Sequence, residues 1–188
     1  MVNYFVTTNG GVSYQQFASF ARSELWKADG LYAIQWAPRI LGVDRVAFEA
    51  NMTAIVQPIH NRTFFISQRP NGVSIPDDPN RAEYYPITYV QPYETNTAVF
   101  GLNAAAAAGR ADEFATVKAT GDVLIVRRLS LIQTGGYGAL EYYPIFRNTN
   151  GALQLSRSDD LAGFVVSLSF AGLVLINSRR LPTTPTLS

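Results

Sequence analysis

The sequence predicts an α+β fold: a long N-terminal helix, then a small antiparallel sheet with one helix laid against it. Three observations predict it. Val12-Ser13-Tyr14-Gln15-Gln16-Phe17 is a helix-starting signature, and apolar residues follow it at helical spacing. Two strand-like stretches, Asp122 to Thr134 and Tyr137 to Phe146, meet at Gly135-Gly136 as the arms of a hairpin would. Between extended segments lies an alanine-rich run, Ala104 to Ala119, whose composition favours helix.

Each element has a local cause. Ser13 caps the first helix, Gln16 returns the bond as in a capping box, and Val12 staples onto Phe17. Phe17, Phe20, Ala21, Leu25, Ala28, Tyr32 and Ile34 then repeat at steps of three to four, carrying the helix towards Pro38 with an interruption at Gly30. That stripe either packs on its own domain or pairs with a second copy as a homodimer. Asp44 is placed to cap a second helix running to about Met52. Asn61 to Ser67 reads as a strand, and Gln68 to Arg81, rich in Pro, Gly and Asp, as a surface loop. Glu83 to Val90 is a strand in which Pro86 marks an edge or a beginning. Asn103 caps the alanine-rich helix and Gly121 ends it. Gly163 to Ser169 is one more strand, and the Pro- and Thr-rich tail from Arg179 is expected to be disordered.

Composition narrows the function. With 188 residues, 47% hydrophobic and 15% charged, the chain can bury a real core. A net charge of +1 gives no electrostatic ground for a nucleic-acid or anionic-membrane partner. There is no Cys, so disulfides and thiolate metal sites are excluded. The N-terminus lacks the basic and apolar regions of a signal peptide. Leu161 to Asn177 carries no charge, but it is short for a membrane span and contains two serines. A buried strand running into a short helix explains it better.

No catalytic constellation stands out. His60 is the lone histidine, and no nucleophile elbow, P-loop or zinc-binding helix is present. Asp77-Asp78 lacks calcium-loop spacing, and Gly135-Gly136-Tyr137-Gly138 leads into a strand where a dinucleotide loop needs a helix. The expectation is a non-enzyme that needs no cofactor and no metal. A binding pocket between helix and sheet is the functional reading. Tyr89, Phe100, Leu102, Leu124, Leu129 and Leu131 would wall it, with Asn103 and Thr134 as its polar groups. Both polar residues also have a purely structural reading, Asn103 as a helix cap and Thr134 as a strand end.

Several motifs in fixed order resemble the CHASE domain, the extracytoplasmic sensor of many histidine kinases, nucleotide cyclases and diguanylate cyclases. They are Trp36-Ala37-Pro38-Arg39 with Asp44-Arg45-Val46-Ala47-Phe48-Glu49, and the strand Glu83-Tyr84-Tyr85-Pro86-Ile87-Thr88-Tyr89-Val90-Gln91-Pro92. Asn96, Phe100-Gly101-Leu102-Asn103, Ala119-Thr120-Gly121 and Tyr143-Pro144-Ile145-Phe146 follow. The resemblance covers Tyr14 to Ile176. It implies a long helix followed by two PAS-like units, with a small molecule bound in the membrane-distal one. On that scheme residues 1–55 form a helical region and 56–160 the ligand-binding unit. Residues 161–178 begin a membrane-proximal unit that is truncated or absent, and 179–188 form a tail. The implied setting is the extracellular or periplasmic part of a membrane receptor, tied to the membrane only by flanking spans. Plant members bind adenine-derived cytokinins through an aspartate at the position of Asn103. An amide there is uncharged and cannot offer two acceptors, so the resemblance implies a different ligand or none.

Overall fold

Helix α1 (Tyr14–Lys27) begins at the capping box read in the sequence. The Ser13 N–H donates to Gln16 Oε1 at 3.0 Å and the Gln16 N–H to Ser13 Oγ at 3.3 Å, so two orphan donors are satisfied reciprocally. The computed structural model describes residues 12–27, 29–107, 110–130, 136–147 and 160–170, with the backbone alone at 127–129 and 170.

The helix does not continue to Pro38. Leu31–Pro38 is strand β1, entered through Gly30 at φ 87°. Five successive residues, Ala33 to Ala37, are buried. A strand covered on both faces reads as a near-continuous apolar run, here interrupted only by Gln35, which periodicity alone does not separate from helix.

After β2 (Ile40–Leu41) and a 3₁₀ turn over Gly42–Asp44 comes α2 (Arg45–His60), two turns longer than expected and ended by Asn61 in the left-handed region. Asp44 makes no side-chain cap. Of the expected strand Asn61 to Ser67, only its end pairs: β3 (Ser67–Gln68) lies against β4 (Ile75–Pro76). Upstream, side chains of α2 replace a strand partner. Thr53 Oγ1 accepts from the Phe64 N–H at 3.0 Å and Glu49 Oε1 from the Ile66 N–H at 2.8 Å.

The predicted strand at Glu83 is split by Pro86 into β5 (Glu83–Tyr84), paired with β2, and β6 (Tyr89–Gln91). The alanine-rich helix is also split. Ala104–Ala106 form a 3₁₀ turn, and α3 spans Arg110–Thr120. Gly121 ends α3 as anticipated, with φ 77° and its N–H on Val117 O at 2.7 Å. The hairpin strands follow as β7 (Leu124–Ser130) and β8 (Tyr137–Phe146), antiparallel.

Leu161–Phe170 is strand β9, and it corrects the expected division of the chain at residue 160. The main sheet has the order β6-β1-β9-β8-β7, with every neighbour antiparallel. Val165 sits between Trp36 on one side and Tyr143 on the other. This segment therefore completes the first sheet at its centre instead of opening a second unit. Residues 171–178 and the tail lie outside the described residues. Gly163 lets β9 approach β1. A Cβ there would overlap the Ala37 carbonyl oxygen and lie 2.7 Å from Pro38 Cα.

Alternation along β9 divides the core into two layers. Ile34, Trp36 and Val165 share one cluster with Phe17 and Ala21 of α1 and Met52 and Val56 of α2. Phe164 and Val166 share the other with Phe114 and Val117 of α3. Among the described residues, no helix is long and apolar enough to cross a membrane.

Candidate functional site

The layer between α3 and the sheet is built on four rings. Phe114 comes from the helix, Tyr142 and Phe164 from β8 and β9, and Tyr85 from the turn after β5. Ring centroids lie 4.6 Å apart for Phe114–Phe164 and 5.1 Å for both Phe114–Tyr85 and Phe114–Tyr142. These are the offset and edge-to-face spacings that aromatic rings prefer.

Polar groups close the layer at two ends. At one, Arg110 donates to the Tyr142 hydroxyl at 3.3 Å and lies over its ring. Burial pushes the Tyr142 phenol up to about 12, so it stays neutral. At the other end, Glu83 accepts from Arg39 at 2.7 Å, Lys118 at 3.0 Å and the Tyr85 hydroxyl at 2.9 Å. Burial acts to raise the Glu83 pKa, but the three donors together outweigh it and hold the carboxyl below its ordinary value. The result is a packed aromatic layer with ion-paired and hydroxyl groups at its ends.

Asn103 lies beside this layer, next to Ala104 and Ala105, which are part of its core. Its amide is engaged at both ends. Oδ1 accepts from the Tyr85 N–H at 2.9 Å and the Ala105 N–H at 3.2 Å, and Nδ2 donates to Asp77 Oδ2 at 2.6 Å. Asp77 is buried. It also accepts from the Arg81 guanidinium and from the Asp78 N–H, while Arg45 holds the carbonyls of Asp77 and Ile66. Asn103 thus ties the loop before β5 to the loop before α3.

The described walls divide between clusters, Phe100 packing both with Leu102 and against the cluster that holds Tyr89. Leu124 lies at the α3 layer, partly buried. Tyr89 packs on the opposite face, 5.6 Å from Phe17 and 5.7 Å from Tyr14 of α1. Phe100 and Leu102 pack against a small third cluster with Ile87, Val90, Tyr93 and Val99. Leu129 is on β7 opposite Gly138, its side chain undescribed. Leu131 and Thr134 lie outside the described residues. His60 stacks on Tyr93 at 3.6 Å, and burial lowers its pKa. Among the described residues, no group of three acidic or histidine side chains could hold a metal.

Tyr85, Phe114, Tyr142, Glu83 and Asp77 were not singled out from the sequence as site residues. Only the doublet Tyr84-Tyr85 and the charged doublet Asp77-Asp78 hinted at them, and neither doublet indicates what it will face.

Comparison with known proteins adds a family. The model of the CHASE domain matches residues 10–181 of the chain. Over 95 residues, the chain is 33% identical to the hybrid signal transduction histidine kinase A of Dictyostelium discoideum. That match covers 48% of this chain and 4% of the relative, so the chain corresponds to a small part of that protein.

Proposed function

The chain belongs to the CHASE domain family, and we propose that it is the small-molecule sensor module of a transmembrane signalling receptor, relaying ligand binding to a histidine kinase or cyclase effector. The family match over residues 10–181 carries the reading, and the likeness to a hybrid histidine kinase supports the kinase branch. On this reading the module is non-catalytic, PAS-like, and exposed on the extracellular or periplasmic side.

The proposed site is the α3 layer. A flat, largely apolar molecule would enter among Tyr85, Phe114 and Tyr142, with Arg110, Glu83 and Lys118 meeting its polar edges. An adenine derivative fits that description, though it would not contact Asn103 without displacing Asp77 from the amide. Entry separates α3 from the sheet, and the sheet carries α1 on its other face. The ligand shifts the receptor only by its affinity difference between the two arrangements.

Thermal unfolding of the purified chain against a metabolite panel, with adenine and cytokinin-type compounds included, tests the reading. A true ligand at a hundred times its dissociation constant stabilises the fold by about 2.7 kcal/mol. The shift should fall in Phe114→Leu. A shift that Phe114→Leu leaves intact would move the site elsewhere.

Two observations favour a second reading, a ligand-free scaffold that holds receptor dimers. The four rings already occupy the α3 layer, and Trp26 on α1 is 92% exposed. Phe17 is not available for such a dimer, because it is fully buried in its own chain. No thermal shift across the panel, with a dimer by light scattering that Trp26→Ala disperses, would favour the scaffold.

A further inference from the structure

We propose that a second pocket, independent of the α3 layer, binds a small organic oxyanion: a carboxylate or phosphate joined to an apolar body. It lies between the segment that follows α2 and the loop before Phe100, has a volume of about 160 Å³, and is lined by Arg62, Thr63, Phe65, Arg69, Ser74 and Thr97, among others. That is the share of liquid volume taken by roughly five waters, enough for one oxyanion group.

The lining is one-sided. It offers two guanidiniums and three hydroxyls, and no carboxylate. Arg39, Arg45, Arg81 and Arg110 each hold a carboxylate within 4.0 Å, whereas among the described residues Arg62 and Arg69 hold none. Arg69 is fixed by neutral partners, donating to Ala98 O at 2.8 Å and Gly72 O at 2.6 Å, and its Nε is buried with no acceptor. Arg62 makes one long bond, to Thr97 O at 3.4 Å. Two cations without counter-ions beside hydroxyl donors present the fork geometry that carboxylate and phosphate accept. Phe65, 42% exposed, supplies an apolar flank for the rest of the molecule.

The position gives the site a consequence. Phe65 adjoins Ile66 and Ser67, whose carbonyls accept from the Asp77 N–H at 3.0 Å and the Asn103 N–H at 2.8 Å. An occupant would therefore bear on the segment that holds both partners of the buried amide–carboxylate bond.

Isothermal titration of the full chain at low ionic strength with phenyl phosphate, benzoate and inorganic phosphate tests this. At least one organic anion should bind at millimolar strength or better, weaken on adding salt, and weaken tenfold or more in Arg62→Gln. That substitution removes a single long hydrogen bond, and an unchanged thermal melt verifies the fold. Arg69→Lys, which keeps the charge and loses the fork, should weaken binding too; if it does not fold, Arg62→Gln alone decides. Binding of phosphate alone, equal to that of phenyl phosphate, would assign the site to a free anion and overturn the apolar-body part. No binding of any probe, or binding that Arg62→Gln leaves unaltered, would show that the two arginines only brace loops and would overturn the proposal.

Discussion

Asn103 and Asp77 form the most constrained polar contact at the residue scale. Asp77 is a buried carboxylate, and the group 2.6 Å from its Oδ2 must donate. An amide does so without charge. This gives a physical reason for an amide at a position where the plant members of the family carry aspartate. Asn103→Asp removes that donor and places a second carboxylate against the first, so that like charges meet in a buried site. At pH 7 the variant should lose about 3 kcal/mol or more in urea unfolding. Adding Asp77→Asn, which restores one donor and one acceptor, should recover most of the loss.

At the scale of elements, Glu83 is the joint between α3 and the strands. It sits on β5 and holds Lys118 of α3 and Arg39 of the β1–β2 connection. Its side chain is 27% exposed, so the pairs are shielded but not dry. Glu83→Gln should cost about 1–3 kcal/mol at pH 7. Because the folded-state pKa is depressed, the wild-type advantage is complete above the ordinary carboxyl value of 4.5 and is lost as pH falls through the lower folded value. Unfolding free energies of the two proteins should therefore converge in acid, and parallel curves down to pH 3 would contradict the assignment. Gly163 works at the same scale. Gly163→Ala pushes a methyl into the β1 backbone, and denaturant unfolding should show a loss upwards of about 2 kcal/mol.

For the whole molecule the decisive element is β9. It pairs with β1 and β8 along most of its length, and its residues Leu161 to Leu168 are all buried. A chain ended at residue 160 would present two unpaired inner edges and an open core on both faces. It should give no cooperative thermal transition and should aggregate on size-exclusion chromatography. A soluble, cooperatively melting 1–160 fragment would mean that the sheet closes without its centre.

What the sequence determined by itself is what short-range chemistry decides. The capping box at Ser13 and Gln16 and the glycine end of α3 depend on partners within a few residues, and β7 and β8 are strands adjacent along the chain. The ordered motifs were enough to identify the family. Tertiary structure decided the rest. Leu31–Pro38 and Leu161–Phe170 are mostly apolar runs, and their role as the sheet's inner strands comes from coverage on both faces, which no local pattern encodes. Asn103 was visible as a cap, but its partner Asp77 lies 26 residues earlier in what read as a surface loop. The described pocket walls divide between clusters for the same reason. Which layer a side chain joins depends on the face its strand turns to each helix, and only the assembled sheet sets that.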